Sequence, residues 1–373
     1  MERENHYRAL LALQLVPELG PRRIKLLLEK TGVKDASEIF GLNLNEILRI
    51  DSFGKQVAKN ILQFDSWKKV DKILAQTEKS GAFLVSVDDP HYPALLRHIY
   101  DPPALLWVKG KREALNLDGI AVIGTRRPGK YGIEQAQLWV RKLTDSGLCI
   151  NSGLAYGIDA IAHREALNSG GKTVAVLGSG IDVIYPAKNS HLVHRMIENG
   201  GAVITEYAPG SAPDAVNFPE RNRIVSGMSH GVLVAESGIK GGSMITARSA
   251  LDQNREVFVV PHRLNYPGGE GCNYLIKTGQ GKLIQNLSDV LDEISVQAGD
   301  VSKKAEPVSK KWETMELGED EKLICSLLNQ CELHIDQISE KTGRQAFTLL
   351  PILLDLEMKG AVKQKAGKYF ELC

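Results

Sequence analysis

The stretch GIAVIGTRRPGKYG at residues 119–132 decides the fold of this 373-residue chain, because a short apolar run leads directly into a glycine-rich turn. The same pairing returns in LCINSGLAYGIDAIAH (148–163), TVAVLGSGIDVIYPAKN (173–189), GAVITEY (201–207) and GVLVAESGIKGGSMITA (231–247). Parallel strands that are buried on both faces read as apolar runs of this kind. Their carboxyl ends meet at one edge of the sheet, where open α/β sheets bind ligands.

Strands and helical segments alternate regularly from residue 117 to about residue 296. The apolar runs predict strands near residues 120–124, 148–152, 173–177, 202–205, 231–235 and 256–260. This alternation is typical of a Rossmann-like, doubly wound parallel sheet, and it places the core in the α/β class. The proline-rich segment 83–110 predicts one further strand at 104–108, which extends the edge of that sheet.

Residues 1–75 read as a separate helical domain ahead of the core, which we expect to span residues 76–296. Two segments, 11–30 and 45–64, each read as a helix, a short turn ending in Gly, and a basic helix. The pattern resembles a tandem helix–hairpin–helix, or SAM-like, module, in which hairpin amides and a helix N-terminus face DNA phosphates. Many such modules only pack against neighbouring domains, so both roles stay open here.

The carboxyl-terminal part of the chain predicts a linker and a small third domain. Residues 297–318 mix Lys, Glu, Ser and Pro without apolar periodicity, which is typical of a linker. Residues 319–373 read as three helices and a short hairpin around residues 366–367, the pattern of a winged helix–turn–helix. The expected recognition helix has Arg344 at its start and then Phe, Leu and Ile, whereas major-groove readers place Arg, Lys, Asn or Gln there. We therefore expect a protein contact or a weak DNA contact.

Composition limits the binding partners and the cellular compartment that we expect for this chain. The formal net charge is +1, so a nucleic-acid partner requires a local basic patch instead of bulk basicity. The amino terminus does not resemble a signal peptide, and no apolar run reaches the ~20 residues of a membrane span, so we expect a cytoplasmic protein. The five cysteines are scattered without CxxC spacing, which favours reduced thiols over a metal site or disulfides. We expect no cofactor.

The glycine-rich turns predict a site for a polyanion. Turn amides, hydroxyl groups and the planar guanidinium fork of Arg all suit phosphate oxygens. The candidate residues are Gly124, Thr125, Arg126 and Arg127 after the first strand, Gly153 after the second, Lys188 and Asn189 after the third, Arg221 and Arg223 at a helix start beyond the fourth, and Lys240, Gly242 and Ser243 before the helix that follows the fifth. A salt bridge to a neighbouring helix is the alternative role for the two turn arginines.

The residues whose side chains have catalytic potential are expected to have structural roles. His163 follows Asp159 by four residues on a predicted helix, but no cysteine or activated serine completes a triad, so helix capping and packing are expected. Glu206 and Glu236 end two strands, and we expect them to orient arginines or amides. PGGEG at 267–271 resembles the start of the phosphoribohydrolase motif PGGxGTxxE, which then fails because Cys272 and Leu275 replace the Thr and Glu.

Taken in order, VIGTRRPGKYG, NSGLAYGIDAIAHREAL, TVAVLGSGIDVIYPAKNSHL, NFPERNRIVSGMSHGVLVAE and GGSMITARSALDQNREVFVVP resemble the DNA-processing protein DprA (Smf) family. The resemblance implies a non-catalytic bacterial protein of competence and DNA recombination. Such a protein binds incoming single-stranded DNA, protects it and loads the recombinase RecA onto it during natural transformation, and its core forms a homodimer. The DNA contacts implied are residues 124–126, Lys188, Arg221, Arg223 and residues 240–243. A nucleotide-processing enzyme of the phosphoribohydrolase type on the same core is the alternative.

Overall fold

A computed structural model describes residues 2–33, 35–294, 312, 315, 317–329 and 331–372 of the chain. The chain folds into two compact units, Met1–Leu283 and Ile284–Cys373. The predicted linker at residues 297–318 lies for the most part outside the described residues.

The first unit begins with a helical region in which two hairpins repeat one backbone geometry. Its helices are α1 (Glu2–Leu15), α2 (Pro21–Thr31), α3 (Leu44–Leu48), α4 (Lys55–Leu62) and α5 (Trp67–Lys79), with a 3₁₀ turn at Ala36–Gly41. Glu18 (φ 64°) stands two positions before Gly20, the N-cap of α2, and Ser52 (φ 76°) stands two positions before Gly54, the N-cap of α4. The predicted pair of helix–turn–helix segments is therefore confirmed.

Within the described part of the first unit, nine strands form one sheet: β1 (Phe83–Ser86), β2 (Leu105–Gly110), β3 (Gly119–Gly124), β4 (Cys149–Ser152), β5 (Thr173–Val176), β6 (Ala202–Thr205), β7 (Gly231–Glu236), β8 (Glu256–Val259) and β9 (Lys282–Leu283). Their order is β1-β2-β6-β5-β4-β3-β7-β8-β9. Strands β3 to β9 pair in parallel, while β2 joins β6, and β1 joins β2, antiparallel.

The six predicted parallel strands and the predicted edge strand are thus confirmed. Strands β1 and β9 are additions to the prediction. Strand β1 is only four residues long and is followed by Pro90 and Pro93, and β9 has only two residues, both exposed. Neither strand therefore stood out as a buried parallel strand.

Helices that follow the strands cover both faces of the sheet: α6 (Ala94–Arg97), α7 (Lys130–Asp145), α8 (Ile158–Asn168), α9 (Ser190–Glu198), α10 (Asn217–Gly227), α11 (Gly242–Asp252) and α12 (Glu270–Lys277), with 3₁₀ turns at Arg112–Asn116 and Ala187–Asn189. Alternate residues of each strand face opposite sides. Ala175 of β5 therefore packs with α8, α9 and the amino-terminal helices, whereas Val174 and Val176 pack with α10 and α11.

The amino-terminal helices share a hydrophobic core with one face of this sheet. Trp107 of β2 is 1% exposed, and its indole N–H donates a 2.9 Å hydrogen bond to the hydroxyl of Thr77 on α5. The expected boundary at residue 75 falls inside α5. The division of this unit into a helical and a sheet domain stays a prediction.

The second unit contains a winged helix. Its elements are α13 (Ser288–Ile294), α14 (Glu319–Leu328), β10 (Leu333–His334), α15 (Ile335–Thr342), α16 (Ala346–Met358), β11 (Val362–Lys365), a 3₁₀ turn at Ala366–Lys368 and β12 (Tyr369–Leu372). The strands lie in the order β10-β12-β11, and Ile335, Leu349 and Phe370 pack in the core. The predicted helices and hairpin are confirmed, and β10 replaces the first residues of the second predicted helix. None of the helices within the described ranges has both the length and the hydropathy that a membrane span requires.

Candidate nucleic-acid interface

A cavity of about 640 Å³ opens at the carboxyl edge of the sheet, where β3, β4 and β7 end. Strand order reverses here, because β4 lies on one side of β3 and the chain returns with β7 on the other. Open α/β sheets bind ligands at this switch point. Seven of the predicted residues line the cavity: Gly124, Thr125, Arg126, Gly153, Arg221, Gly242 and Ser243. The other five, Arg127, Lys188, Asn189, Arg223 and Lys240, lie outside its wall.

The turn after β3 requires glycine and presents one of its two arginines to the cavity. A Cβ atom on Gly124 would lie 2.5 Å from a side-chain carbon of Ile158 and 2.8 Å from the Glu236 carbonyl oxygen, so no larger residue fits. The Thr125 amide donates to that same carbonyl at 2.8 Å. Arg126 and Arg127 are both exposed, but only Arg126 belongs to the cavity wall.

Arg221 lies at the buried floor of the cavity. Its side chain donates to the Val176 carbonyl, and the residue is 3% exposed. A Cβ atom on Gly153 would lie 2.0 Å from its Nη1, so the guanidinium occupies space that only glycine leaves open. Burial lowers the pKa of Arg221 to about 10, while the nearby Asp159 carboxylate opposes this shift. The guanidinium therefore stays charged at neutral pH.

Arg223 belongs to a different part of the molecule. The sequence predicted a helix start at these arginines, but α10 begins at Asn217, so Arg221 and Arg223 lie inside the helix. Residues two apart on a helix point about 200° apart. Arg223 consequently faces away and pairs with Glu206 at 2.7 Å and with Asp101 at 3.0 Å. The expected role of Glu206 in orienting an arginine is confirmed.

The amino terminus of α11 faces the cavity. Gly242 and Ser243 occupy the first turn, where helical N–H groups have no acceptor within the helix and the helix dipole is positive. The Ser243 hydroxyl donates to the Ser237 hydroxyl at 2.7 Å, so this side chain is already engaged. Lys240 is exposed and precedes the helix. The helix begins at Gly242, so Gly242 and Ser243 belong to the helix that the sequence placed after them.

Lys188 and Asn189 share a 3₁₀ turn but differ in what they can contact. Lys188 is exposed, whereas Asn189 is 4% exposed. The Asn189 amide donates to the Leu154 carbonyl at 2.8 Å and to the Ala155 carbonyl at 3.3 Å. Through these hydrogen bonds, the side-chain amide of Asn189 holds the turn after β4 in place.

Two aromatic rings form part of the cavity wall. Tyr185 and Phe218 have ring centroids 5.6 Å apart, and the guanidinium carbon of Arg126 lies 5.8 Å from the Phe218 centroid. The exposed ring of Tyr156, by contrast, lies outside the wall. Tyr185 was missed. Its position three residues before the predicted contact Lys188 is the signal that identifies it.

Groups with catalytic potential are engaged in the structure. The Asp159 carboxylate accepts hydrogen bonds from the amides of Gly153 (3.1 Å) and Ala155 (3.4 Å). His163 is buried beside the Thr173 hydroxyl at 2.7 Å, and burial lowers its pKa to about 3. The Glu236 carboxylate accepts from the Gly129 amide at 3.0 Å. The expected packing of His163 and the expected amide contacts of Glu236 are confirmed. The expectation that Asp159 caps its own helix is wrong, because the N-cap of α8 is Gly157 and the Asp159 carboxylate holds the turn after β4 instead.

The two residues at which the phosphoribohydrolase motif fails lie in the core of the first unit. Cys272 and Leu275 are both 0% exposed, and burial raises the pKa of the Cys272 thiol to about 12. Across the described ranges, no cluster of three His, Cys, Asp or Glu residues is placed to hold a metal ion.

Fold and site together define a class of protein: a doubly wound sheet with a cavity lined by glycine-rich turns and arginines at its switch point, accompanied by a winged helix. Residues 83–295 match the family model for DNA recombination-mediator protein A, and residues 310–368 match the model for the DprA winged helix domain. The chain therefore belongs to the DNA recombination-mediator protein A (DprA/Smf) family.

Relatives and solved structures agree with this assignment. Protein Smf of Escherichia coli is 33% identical over 315 residues, which cover 84% of each chain. The X-ray structure of DNA processing protein A from Streptococcus pneumoniae is 34% identical with a TM-score of 0.65, covering 79% of this chain and 99% of that one. DNA processing protein A from Helicobacter pylori, whose structure is described in terms of a single-stranded DNA binding mode, is 32% identical with a TM-score of 0.51, covering 56% of this chain and 94% of that one.

Proposed function

We propose that this chain binds single-stranded DNA in the switch-point cavity without cleaving it. The observation that carries the proposal is the convergence of a buried guanidinium (Arg221), an exposed one (Arg126) and the first turn of α11 on one cavity. All three favour an anion. The position of Arg221 depends on Gly153, and the turn that bears Arg126 depends on Gly124, because a Cβ atom at either glycine would clash with its neighbours. The binding mode named for the Helicobacter pylori relative supports DNA as that anion.

The cavity walls suggest how a strand lies in it. A backbone phosphate faces the α11 amides and Arg126, while the fixed charge of Arg221 lowers the electrostatic cost of bringing a second phosphate nearby. The rings of Phe218 and Tyr185 give a base an apolar surface on which to stack. Stacking and phosphate contact do not depend on base identity, so we expect little sequence preference. Lys188, three residues beyond Tyr185, is exposed and supplies a further positive charge for the DNA backbone.

A wider role follows from family membership. We infer that the chain protects incoming strands in the cytoplasm, loads RecA onto them during natural transformation, and acts as a homodimer through its core. The names of the relatives, which describe DNA processing and recombination mediation, support this role. RecA loading is tested by the rate at which RecA assembles on an oligonucleotide with and without the chain. An unchanged rate contradicts that part of the proposal.

A non-catalytic role is supported by the hydrogen bonding and burial of the acids and bases with catalytic potential. Asp159 and Glu236 accept backbone amides, and the ring of His163 is 0% exposed. Release of a free base from nucleoside monophosphates, followed by chromatography, tests the alternative enzyme. Turnover above background would contradict a purely binding function.

The experiment for DNA binding compares Arg126→Ala with Arg127→Ala. Both variants remove one exposed positive charge, but only Arg126 lines the cavity. Fluorescence anisotropy with oligothymidylate is expected to show binding weaker by about 10-fold to 100-fold for Arg126→Ala, since a charge-assisted hydrogen bond contributes about 1.5–3 kcal/mol. The slope of log affinity against log salt should become shallower by about 0.7.

Arg127→Ala is the matched control, and we expect less than about a threefold change because general charge is screened by salt. Oligomers of dA and dC should show the same loss as dT in the Arg126 variant. Equal effects of the two substitutions would mean that only net charge matters, and the cavity would not be the binding site.

A further inference from the structure

A further cavity, of about 590 Å³, lies between the amino-terminal helices and the sheet of the first unit, and we call it the helix-side cavity. Its volume falls within the range of about 300–1,000 Å³ that small-molecule sites occupy. Arg221 lines the switch-point cavity and Arg223 lines this one, so the two cavities lie on different sides of α10. Of the described residues, only Pro219 lines both.

The floor of the helix-side cavity is apolar. Leu11 of α1, Ile24 of α2, Ile73 of α5 and Trp107 of β2 line it, and none of these residues is more than 7% exposed. An apolar group that enters the cavity leaves water and gains free energy. The floor therefore suits the hydrocarbon or aromatic body of a small molecule.

The wall on the side of the sheet and α10 is acidic. Among the described residues, the charged side chains that line the cavity are three carboxylates and one guanidinium: Asp101, Glu206, Glu220 and Arg223. Arg223 already pairs with Asp101 at 3.0 Å and with Glu206 at 2.7 Å, so its single charge balances only part of the negative charge. The excess of carboxylates repels an anion such as a phosphate and attracts a cation.

One carboxylate oxygen of this wall has no hydrogen-bond donor. The side chain of Glu206 is 10% exposed, and its Oε2 accepts from Arg223. Its Oε1 is buried and has no partner in the part of the chain that the structure describes. Buried polar atoms are nearly always hydrogen-bonded, and an unpaired one is costly. A charged N–H group that entered the cavity beside Glu206 would supply the missing donor.

We propose that the helix-side cavity binds a small organic cation, in which an ammonium or guanidinium group is carried on an apolar body. The charged nitrogen donates to Glu206 and lies near the exposed carboxylate of Glu220, while the apolar body covers the floor. Such a ligand contacts both the amino-terminal helices and the sheet, so its binding stabilises the folded first unit. The site is independent of DNA binding and does not rest on the proposed function.

The first test compares probes that share an apolar ring and differ in charge. Phenethylammonium and benzylguanidinium carry the cation, while 2-phenylethanol is neutral and 3-phenylpropionate is an anion. Titration calorimetry and thermal unfolding of the full-length chain should show saturable binding and a rising Tm with at least one of the two cations. The alcohol and the anion should bind at least about 10-fold more weakly, because the carboxylates attract only the cation. Failure of both cations to bind, or equal binding of all four probes, would overturn the proposal.

The second test places the cation in the cavity by substitution. Glu206→Gln should weaken binding of the cationic probe by about 10-fold, since it removes the charge on the expected acceptor. Glu220→Gln should weaken it by about threefold, because that carboxylate is exposed. Glu198→Gln is the matched control, since it removes an exposed carboxylate that lines neither cavity, and its affinity for the probe should match the wild type.

Circular dichroism establishes that the variants are folded, and Glu220→Gln keeps the test decisive if Glu206→Gln does not fold, because Glu220 is exposed. Binding of oligothymidylate should stay within about twofold in all three variants, which separates this site from the DNA cavity. Wild-type affinity for the cationic probe in the folded Glu206 and Glu220 variants would place the cation elsewhere and refute the proposal.

Discussion

Gly153→Ala is the substitution for which the structure makes its sharpest stability prediction. The added Cβ atom would lie 2.0 Å from Nη1, 2.6 Å from Cζ and 2.7 Å from Nη2 of Arg221, where ordinary contacts exceed 3 Å. The φ angle of Gly153 is not in the left-handed region, so alanine brings no backbone strain of its own. Any loss of stability in the Gly153→Ala variant therefore results from the displacement of Arg221.

The displaced guanidinium cannot keep its present contacts. Arg221 is 3% exposed and donates to the Val176 carbonyl, so it must either give up this hydrogen bond or compress its neighbours. Either outcome costs about 1–3 kcal/mol of the free energy of unfolding. In a unit of this size that loss corresponds to a fall of about 2–4 °C in Tm for each kcal/mol. DNA affinity should fall as well, because the charged floor of the cavity has moved.

Urea denaturation and oligothymidylate anisotropy measure the two effects. Gly242→Ala is the matched control for stability, since it makes the same chemical change in the same cavity at a position where a Cβ atom meets nothing within 4 Å. We expect its free energy of unfolding to stay within about 0.5 kcal/mol of the wild type. A Gly153→Ala variant as stable as this control, with unchanged affinity, would refute the packing argument.

Two further predictions concern buried side chains that can carry a charge. Arg223→Met removes the cation between Glu206 and Asp101 and leaves the buried Glu206 carboxylate unpaired, so urea denaturation should show a loss of about 3 kcal/mol or more, while DNA affinity of the folded protein stays within about twofold. The pKa of His163 is about 3 in the folded chain against 6.5 ordinarily. The unfolded chain therefore binds more protons between these values, and stability should fall by about 1.4 kcal/mol for each pH unit below 6.5. The His163→Gln variant should lack this fall of stability with pH. If the variant showed the same fall, His163 would not be its source.

Much of the fold and of the site could be predicted from local pattern. Apolar runs followed by glycine-rich turns mark parallel strands buried on both faces, and such strands all deliver their turns to one edge. This is why the position of the cavity and the membership of Gly124, Arg126 and Gly153 in its wall followed from the sequence. The short exposed strand β9 lacked the apolar pattern, and for that reason it was missed.

The chain's sequence alone determined the α/β class, the order of the turns and the edge at which they meet, because these depend on periodicities of two and 3.6 residues. Only the tertiary structure decided which side chains reach the cavity. Arg221 and Arg223 look equivalent in sequence, yet the start of α10 at Asn217 sends one to the cavity floor and the other to Glu206. The sequence predicted Asn189 as a DNA contact, but in the structure its side-chain amide donates hydrogen bonds to two backbone carbonyl groups. The direction of a side chain depends on where its helix begins and on what packs against it, and both are set by contacts between residues far apart in the chain.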